Sequence, residues 1–162
     1  NCMISDTLPN LYRTKIKMKL ERATTKDIPV LLEIELSTGN DKTYSPMTTE
    51  EEWLTEFKDN IIYIIKEKEI PVGLVSYEKK PNDCAYVSGL LIKPPFRGKG
   101  FARMVMNTIL DELKKEKMIY LVTHPDNVAS VNLYKSLGFV EGERKENYFG
   151  DGEPRIRMYL DK

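Results

Sequence analysis

The run Arg97-Gly98-Lys99-Gly100-Phe101-Ala102 offers an anion a place to sit. Its small residues keep side chains out of the way, while Arg97, Lys99 and the following Arg103 bring positive charge. Where such a run opens a helix, unpaired backbone N–H groups and the positive end of the helix dipole face the same point, and a pyrophosphate fits there. The spacing is neither G-x-G-x-x-G nor G-x-x-x-x-G-K-[ST], so neither a dinucleotide fingerprint nor a P-loop is indicated. The bland alternative is a helix start whose small residues serve close packing. Further along, Asn127 and Tyr134 stand seven residues apart, which on a helix puts them on one face two turns apart. A cap and a core residue are their structural readings. His124, the only histidine, titrates near neutrality and is a candidate for moving a proton, directly or through water. Its structural reading is a strand-end histidine, exposed or bonded to the backbone.

An anion site of this kind needs a strand to deliver the turn and a helix to continue from it. Ala85 to Lys93 reads as that strand, stopped by Pro94 and Pro95. Lys99 to Lys117 reads as the helix, with Phe101, Val105, Ile109 and Leu113 as its apolar stripe and Lys114, Lys115 and Lys117 at its C-terminal end. A strand over Met118 to His124, a helix over Asn127 to Leu137 closed by Gly138, and two strands over Val140 to Phe149 and Arg155 to Leu160 follow. Upstream, Lys17 to Arg22 reads as a strand. Thr25 then caps a helix that turns Ile28, Leu31, Leu32 and Leu36 to one face. Ser37 to Met47 is a loop. Thr48 or Thr49 caps a second helix, with Glu50, Glu51 and Glu52 in its first turn and Trp53, Leu54 and Phe57 on its buried side. Ile61 to Lys66 and Val72 to Lys79 are strands joined by a tight turn. This order predicts an α/β fold, a mixed central sheet with flanking helices.

A chain of 162 residues suits one domain. Its 25 basic and 25 acidic residues cancel, so no global field draws it to nucleic acid or to an anionic membrane. Cys2 and Cys84 make neither a disulfide framework nor a metal cluster, and a reducing compartment without a bound metal is expected. No apolar run approaches the roughly 20 residues that span a bilayer. Asn1 to Lys15 lacks the apolar centre of a secretory signal, which makes a cytoplasmic location the expectation.

The segment Arg97 to Ala102 resembles the acetyl-CoA signature of the GCN5-related N-acetyltransferase (GNAT) superfamily, Arg/Gln-x-x-Gly-x-Gly/Ala. Asn127 to Phe139 is similar to the same family's Asn-x-x-Ala/Ser…Tyr-x-x-x-Gly-Phe segment. The resemblance runs over about residues 20–160 and is specific from Val87 to Phe139. It implies an N-acetyltransferase domain over residues 17–162 behind an extension at 1–16. It further implies about seven strands with a splayed central parallel pair, acetyl-CoA as cosubstrate, and no metal. By resemblance Leu91, Ile92 and Lys93 pair with the pantetheine arm, and Gly89 aids a bulge. A backbone N–H at Leu90 or Leu91 polarises the thioester carbonyl. Arg97, Gly98, Lys99, Gly100, Phe101 and Ala102 hold the pyrophosphate. Asn127 contacts the arm, and Tyr134 protonates the leaving thiolate.

The ending Asn147-Tyr148-Phe149-Gly150-Asp151-Gly152-Glu153-Pro154-Arg155-Ile156-Arg157-Met158 resembles that of protein N-terminal (N-alpha) acetyltransferases. It implies a protein or peptide N-terminus as partner, with Tyr148 and Phe149 lining its groove and Tyr44 opposite. Pro154-Arg155 departs from that group's Asp-Ala. Relatives place an acidic or histidine base where this chain has Val122, which leaves His124, two residues on, and Tyr86 as candidates. An α-amine, with a pKa of about 8 against about 10.4 for lysine, loses its proton more cheaply by about 3 kcal/mol, which suits a site without a carboxylate there. A polyamine or a lysine side chain is the alternative. A polyamine site is ringed by carboxylates, and Glu50-Glu51-Glu52 is a candidate run. A non-enzymatic acyl-CoA sensor is the third reading, and Tyr134 argues against it.

Overall fold

The computed structural model describes residues 17–162, so the extension at residues 1–16, with Cys2, lies outside the described residues. Runs of alternating or continuous apolar burial make the strands β1 (Met18–Arg22), β2 (Ile61–Glu67), β3 (Ile70–Lys80), β4 (Cys84–Ile92), β5 (Met118–Thr123) and β7 (Arg155–Asp161), while β6 (Val140–Lys145), exposed along its length, is held by its pairing with β7. They form one sheet in the order β1-β2-β3-β4-β5-β7-β6. Every neighbouring pair is antiparallel except the central β4 and β5, which run parallel. The α-helices of the described residues are α1 (Ile28–Leu36), α2 (Glu50–Asp59), α3 (Phe101–Glu112) and α4 (Val128–Ser136). Leu31, Ile34 and Trp53 of α1 and α2 close one core over Ile62, Ile64, Leu74 and Leu91. Val105, Ile109 and Val131 of α3 and α4 close another over Val75, Val87, Ile119 and Leu121. The expected mixed sheet of about seven strands is the observed one.

Two irregularities shape its centre. In the β3–β4 pairing Ser76 faces Gly89 and Tyr77 faces Val87, so Ser88 is the extra residue of a bulge. A Cβ at Gly89 would lie 2.9 Å from Ser76 Oγ, so any larger residue there would have to displace that hydroxyl. The β4–β5 register runs only from Cys84↔Met118 to Val87↔Leu121, although both strands continue beyond it. The parallel pair is therefore splayed at its C-terminal ends.

Several boundaries differ from expectation. Helix α3 begins after Gly100, which sits at φ 88° and ends the preceding turn, and it stops before Leu113. The lysines expected in its last turn instead lead into β5, where the Lys117 N–H bonds the Asp83 carbonyl at 2.7 Å. Thr24, not Thr25, provides the first cap, reciprocated by Asp27. Leu36 is 66% exposed: at about 100° per residue it has rotated past a stripe made by Ile28, Leu31, Ile34 and Glu35. Leu54 is likewise exposed, one step off the Trp53–Phe57 face. Strand β6 ends at Lys145 because Asn147 takes a left-handed turn conformation, φ 50°. Among the described residues no helix is long and apolar enough to cross a membrane.

Candidate active site

The splay opens between two clefts. One, of about 540 Å³, lies under the turn between β4 and α3. Pro94–Phe96 form a short 3-10 turn, and Gly98 (φ 76°) and Gly100 (φ 88°) then take left-handed conformations with open space where a Cβ would stand. No side chain caps α3, so its first N–H groups point at that space unshared. Arg97 is anchored through Nε to the Ile92 carbonyl at 2.9 Å, and its Nη1 stands 3.9 Å from Asp41. The Lys93 N–H bonds back to Val72 at 2.8 Å. By alternation Leu91 also faces β3, while Leu90 and Ile92 turn their backbone groups into the splay. Leu90, Leu91, Ile92, Arg97, Gly98, Gly100, Phe101, Ala102 and Asn127 all line this cleft. The Lys93 and Lys99 side chains do not: Lys93 Nζ pairs with Glu33 at 2.9 Å, and Lys99 Nζ lies over the Phe96 ring at 5.6 Å. A cradle of bare backbone, followed by a strand edge where Leu90 and the Ile92 N–H meet no partner strand and Arg97 takes the Ile92 carbonyl, fits a diphosphate carrying an extended amide arm.

The second cleft, of about 550 Å³, lies across the splay, walled by α1, α2, β3, β4, β5, α4 and the β6–β7 hairpin. It shares Thr43, Tyr44, Leu90, Asn127 and Ser130 with the first, so the two meet at Leu90 and the head of α4. Asn127 caps that helix, its Oδ1 accepting the Ser130 N–H at 3.3 Å. One face further along α4, Tyr134 is 6% exposed and lines the second cleft. Burial alone holds its hydroxyl above the usual phenol range, and no hydrogen bond contributes. Tyr86 also lines the cleft and stacks on Tyr120, its partner in the parallel register, at 4.8 Å.

Glu35 is a site residue that sequence reasoning missed. Its carboxylate is fully buried on α1, accepts the Tyr44 hydroxyl at 3.0 Å and the Met47 N–H at 3.2 Å, and lines the second cleft. Desolvation raises its pKa to about 7, partly offset by those two hydrogen bonds. The signal was present: Glu35 follows Ile28 and Leu31 on the buried stripe, where an acid is costly without a purpose.

His124 behaves differently from a free base. Strand β5 ends at Thr123, so strand alternation no longer governs position 124, and the ring is 1% exposed. Its Nδ1 accepts the Asp126 N–H at 3.0 Å, and its Nε2 lies 3.0 Å from Glu153. The backbone contact fixes the proton on Nε2, which donates to Glu153. His124 thus ties the end of β5 to the β6–β7 hairpin. Val122 lines the cleft without a titratable group. Tyr44 stands between the clefts and Phe149 at the rim of the second. Tyr148 is outside the lining, edge-on to Phe149 at 4.8 Å and accepting from Arg157 at 3.3 Å.

Residues 28–139 match the model of the acetyltransferase (GNAT) family. The N-alpha-acetyltransferase 30 of Saccharomyces cerevisiae is 28% identical over 56% of this chain and 55% of its own length. The spermidine N(1)-acetyltransferase of Vibrio cholerae is 38% identical over 44% of each chain. The chain spans about half the length of the curated relatives it matches. In fold, the ribosomal-protein-S18-alanine N-acetyltransferase of Escherichia coli superposes with a TM-score of 0.77 over 90% of this chain and 94% of that one, at 21% identity.

Proposed function

The chain belongs to the acetyltransferase (GNAT) family, and from that premise we propose that it transfers an acetyl group from acetyl-CoA to a primary amine, the α-amino group of a protein or peptide N-terminus. One observation carries the proposal: the two clefts meet at Leu90, beside the largely buried Tyr134, whose hydroxyl makes no hydrogen bond within the described residues, on one wall and a carboxylate with a pKa of about 7 on another.

The glycine turn and the backbone edge of Leu90 and Ile92 hold the acetyl-CoA. The amine enters the second cleft as an ammonium ion, and Glu35 takes its proton, directly or through water. The freed lone pair forms the N–C bond at the thioester carbonyl, the C–S bond breaks, and Tyr134 gives its proton to the departing sulfur; the second proton of the acylated nitrogen leaves through water and restores the Tyr134 hydroxyl, so the amide, the free thiol and the one proton held by Glu35 balance the reaction. The Leu90 N–H, turned into the splay, stabilises the carbonyl oxygen as charge develops there. The amine attacks directly, with no covalent enzyme intermediate. The name of the yeast relative and the aromatic rim at Phe149 support an N-terminal substrate. A polyamine is the second reading, favoured by the name of the Vibrio relative and by Glu52, one of the acidic residues opening α2, in the cleft lining.

The test is thiol release from acetyl-CoA with three acceptors: a peptide with a free N-terminus, the same peptide blocked there but carrying an internal lysine, and spermidine. Mass spectrometry locates the acetyl group. The free peptide is expected to react best. A blocked peptide reacting equally well overturns the N-terminal assignment. Binding of acetyl-CoA with no release to any amine leaves an acyl-CoA sensor.

A further inference from the structure

Three polar side chains that the mechanism does not use converge on the bulge of β4. Ser88, its extra residue, has no partner on β3. The Ser88 hydroxyl instead donates to Asn60 Oδ1 at 2.6 Å and lies 2.8 Å from Ser76 Oγ. Asn60 closes the C-terminal end of α2, where its side-chain amide donates to the Glu56 carbonyl at 3.2 Å, and that bond leaves its oxygen facing Ser88. With its one proton given to Asn60, Ser88 accepts from Ser76. The bonds therefore run in one direction, from buried Ser76 on β3 through the bulge to the end of α2. Gly89 makes room for them, since a Cβ there would stand against Ser76 Oγ.

Which amide faces the splay depends on this bulge. With it, Leu74 faces Leu91 and Val75 faces Leu90, so Leu91 bonds β3 and the Leu90 N–H is left for the splay. If β4 ran on without the extra residue, in the register of Glu78 and Tyr86, Leu74 would face Leu90 instead. The Leu90 N–H would then be spent on β3, and Leu91 would turn to the splay. The apolar pattern resists such a slip only weakly, because it exchanges one leucine for another between the two cores.

We propose that Ser88 is a positioning residue for the transfer: its hydroxyl, pinned between Ser76 and Asn60, holds the bulge in the phase that presents the Leu90 N–H to the thioester carbonyl. The proposal rests on the transferase reading above and adds to it a side chain that acts through the backbone of Leu90. Because Asn60 closes α2, the same pin ties the oxyanion donor to a helix that walls the acceptor cleft.

The experiment pairs residue-by-residue amide hydrogen exchange, followed by NMR on the full chain without ligand, with the single-turnover rate at saturating acetyl-CoA and acceptor peptide. In the wild type Leu91 should exchange slowly and Leu90 fast. In Ser88→Ala, and separately in Asn60→Ala, the two should approach each other, Leu90 slowing and Leu91 quickening, and the rate should fall by about tenfold as the oxyanion donor loses its place. Ser88→Thr keeps the hydroxyl and should restore both readouts. The double variant should lose no more than either single one, because each breaks the same pin. Circular dichroism shows which variants are folded; if Ser88→Ala is not, Asn60→Ala, which breaks the pin outside the sheet, decides. An exchange contrast unmoved in the folded variants overturns the proposal whatever the rate does, since Ser88 then does not set the phase. A narrowed contrast with an unchanged rate overturns it too, because the phase then does not govern transfer. Both outcomes leave the transferase reading intact. A wild-type protein that acetylates no amine overturns that reading and the proposal together.

Discussion

The Tyr44 hydroxyl donates to the Glu35 carboxylate across 3.0 Å, and through that bond the loop after α1 is tied to a buried acid facing the acceptor cleft. Because burial raises the Glu35 pKa to about 7, the carboxylate is half protonated at neutral pH and becomes a competent base just above it. With a peptide acceptor, kcat/KM should rise with pH through an inflection near 7, then again near 8 as the free α-amine appears. In Glu35→Gln the rate should fall by roughly 10²-fold and the first inflection should vanish, while the second, which belongs to the substrate, stays. An unchanged profile would remove Glu35 from the chemistry.

The same acid makes stability pH-dependent. Its folded pKa lies above the ordinary carboxylate value, so between about pH 4.5 and 7 the folded protein holds more protons than the unfolded chain, and stability falls as pH rises. Below that window its contribution is fully present; above it the lost stability is about 3 kcal/mol at most. Urea melts at pH 5 and pH 8 should show this loss in the wild type and a smaller one in Glu35→Gln.

Tyr134→Phe removes one hydroxyl and keeps the ring that packs against Phe139. Turnover should fall by roughly 10²-fold with acetyl-CoA affinity little changed. A wild-type rate in a chemistry-limited assay would leave Tyr134 a packing residue.

Gly100 tests the anion cradle in two steps. Gly100→Ala has room for its methyl group but must hold a left-handed φ of 88°, which should cost about 1 kcal/mol of stability. Gly100→Asp adds a carboxylate in front of the helix N-terminus and should weaken acetyl-CoA binding by at least about tenfold beyond the alanine variant. Calorimetry on both separates strain from repulsion.

His124→Ala strips Glu153 of its donor and the Asp126 N–H of its acceptor in a buried place. It should cost about 2–4 kcal/mol and raise the KM for the amine as the hairpin loosens, while the inflection near pH 7 persists. Disappearance of that inflection would return the base to His124.

Much of this was legible from residue types. The glycine turn, the bracketing prolines, and the spacing of Asn127 and Tyr134 depend on backbone geometry within a few residues, and sequence reports such local geometry well. What was missed depends on contacts between distant segments. Leu36 looked buried because a stripe was counted from apolar residues alone, when a glutamate completes it. His124 looked like a free base because Glu153, 29 residues later, is its partner only once β7 lies beside β5. Lys93 looked like a ligand of the pantetheine arm because the phase of strand alternation depends on the pairing with Val72.

The splay of β4 from β5 also makes the sheet an unfinished ladder. Past Val87 and Leu121 the strands stop bonding each other, so the amides of Leu90 and Ile92 should exchange their hydrogens with solvent far faster than those of the interior strands around them. A cosubstrate that lies along that edge acts as a removable rung. At a hundredfold excess over its Kd it should add about 2.7 kcal/mol to the unfolding free energy and slow exchange at those two amides first. The thermal melting point of this protein in a cell would then follow the local supply of acetyl-CoA, and its lifetime there would rise and fall with the acetyl-CoA pool.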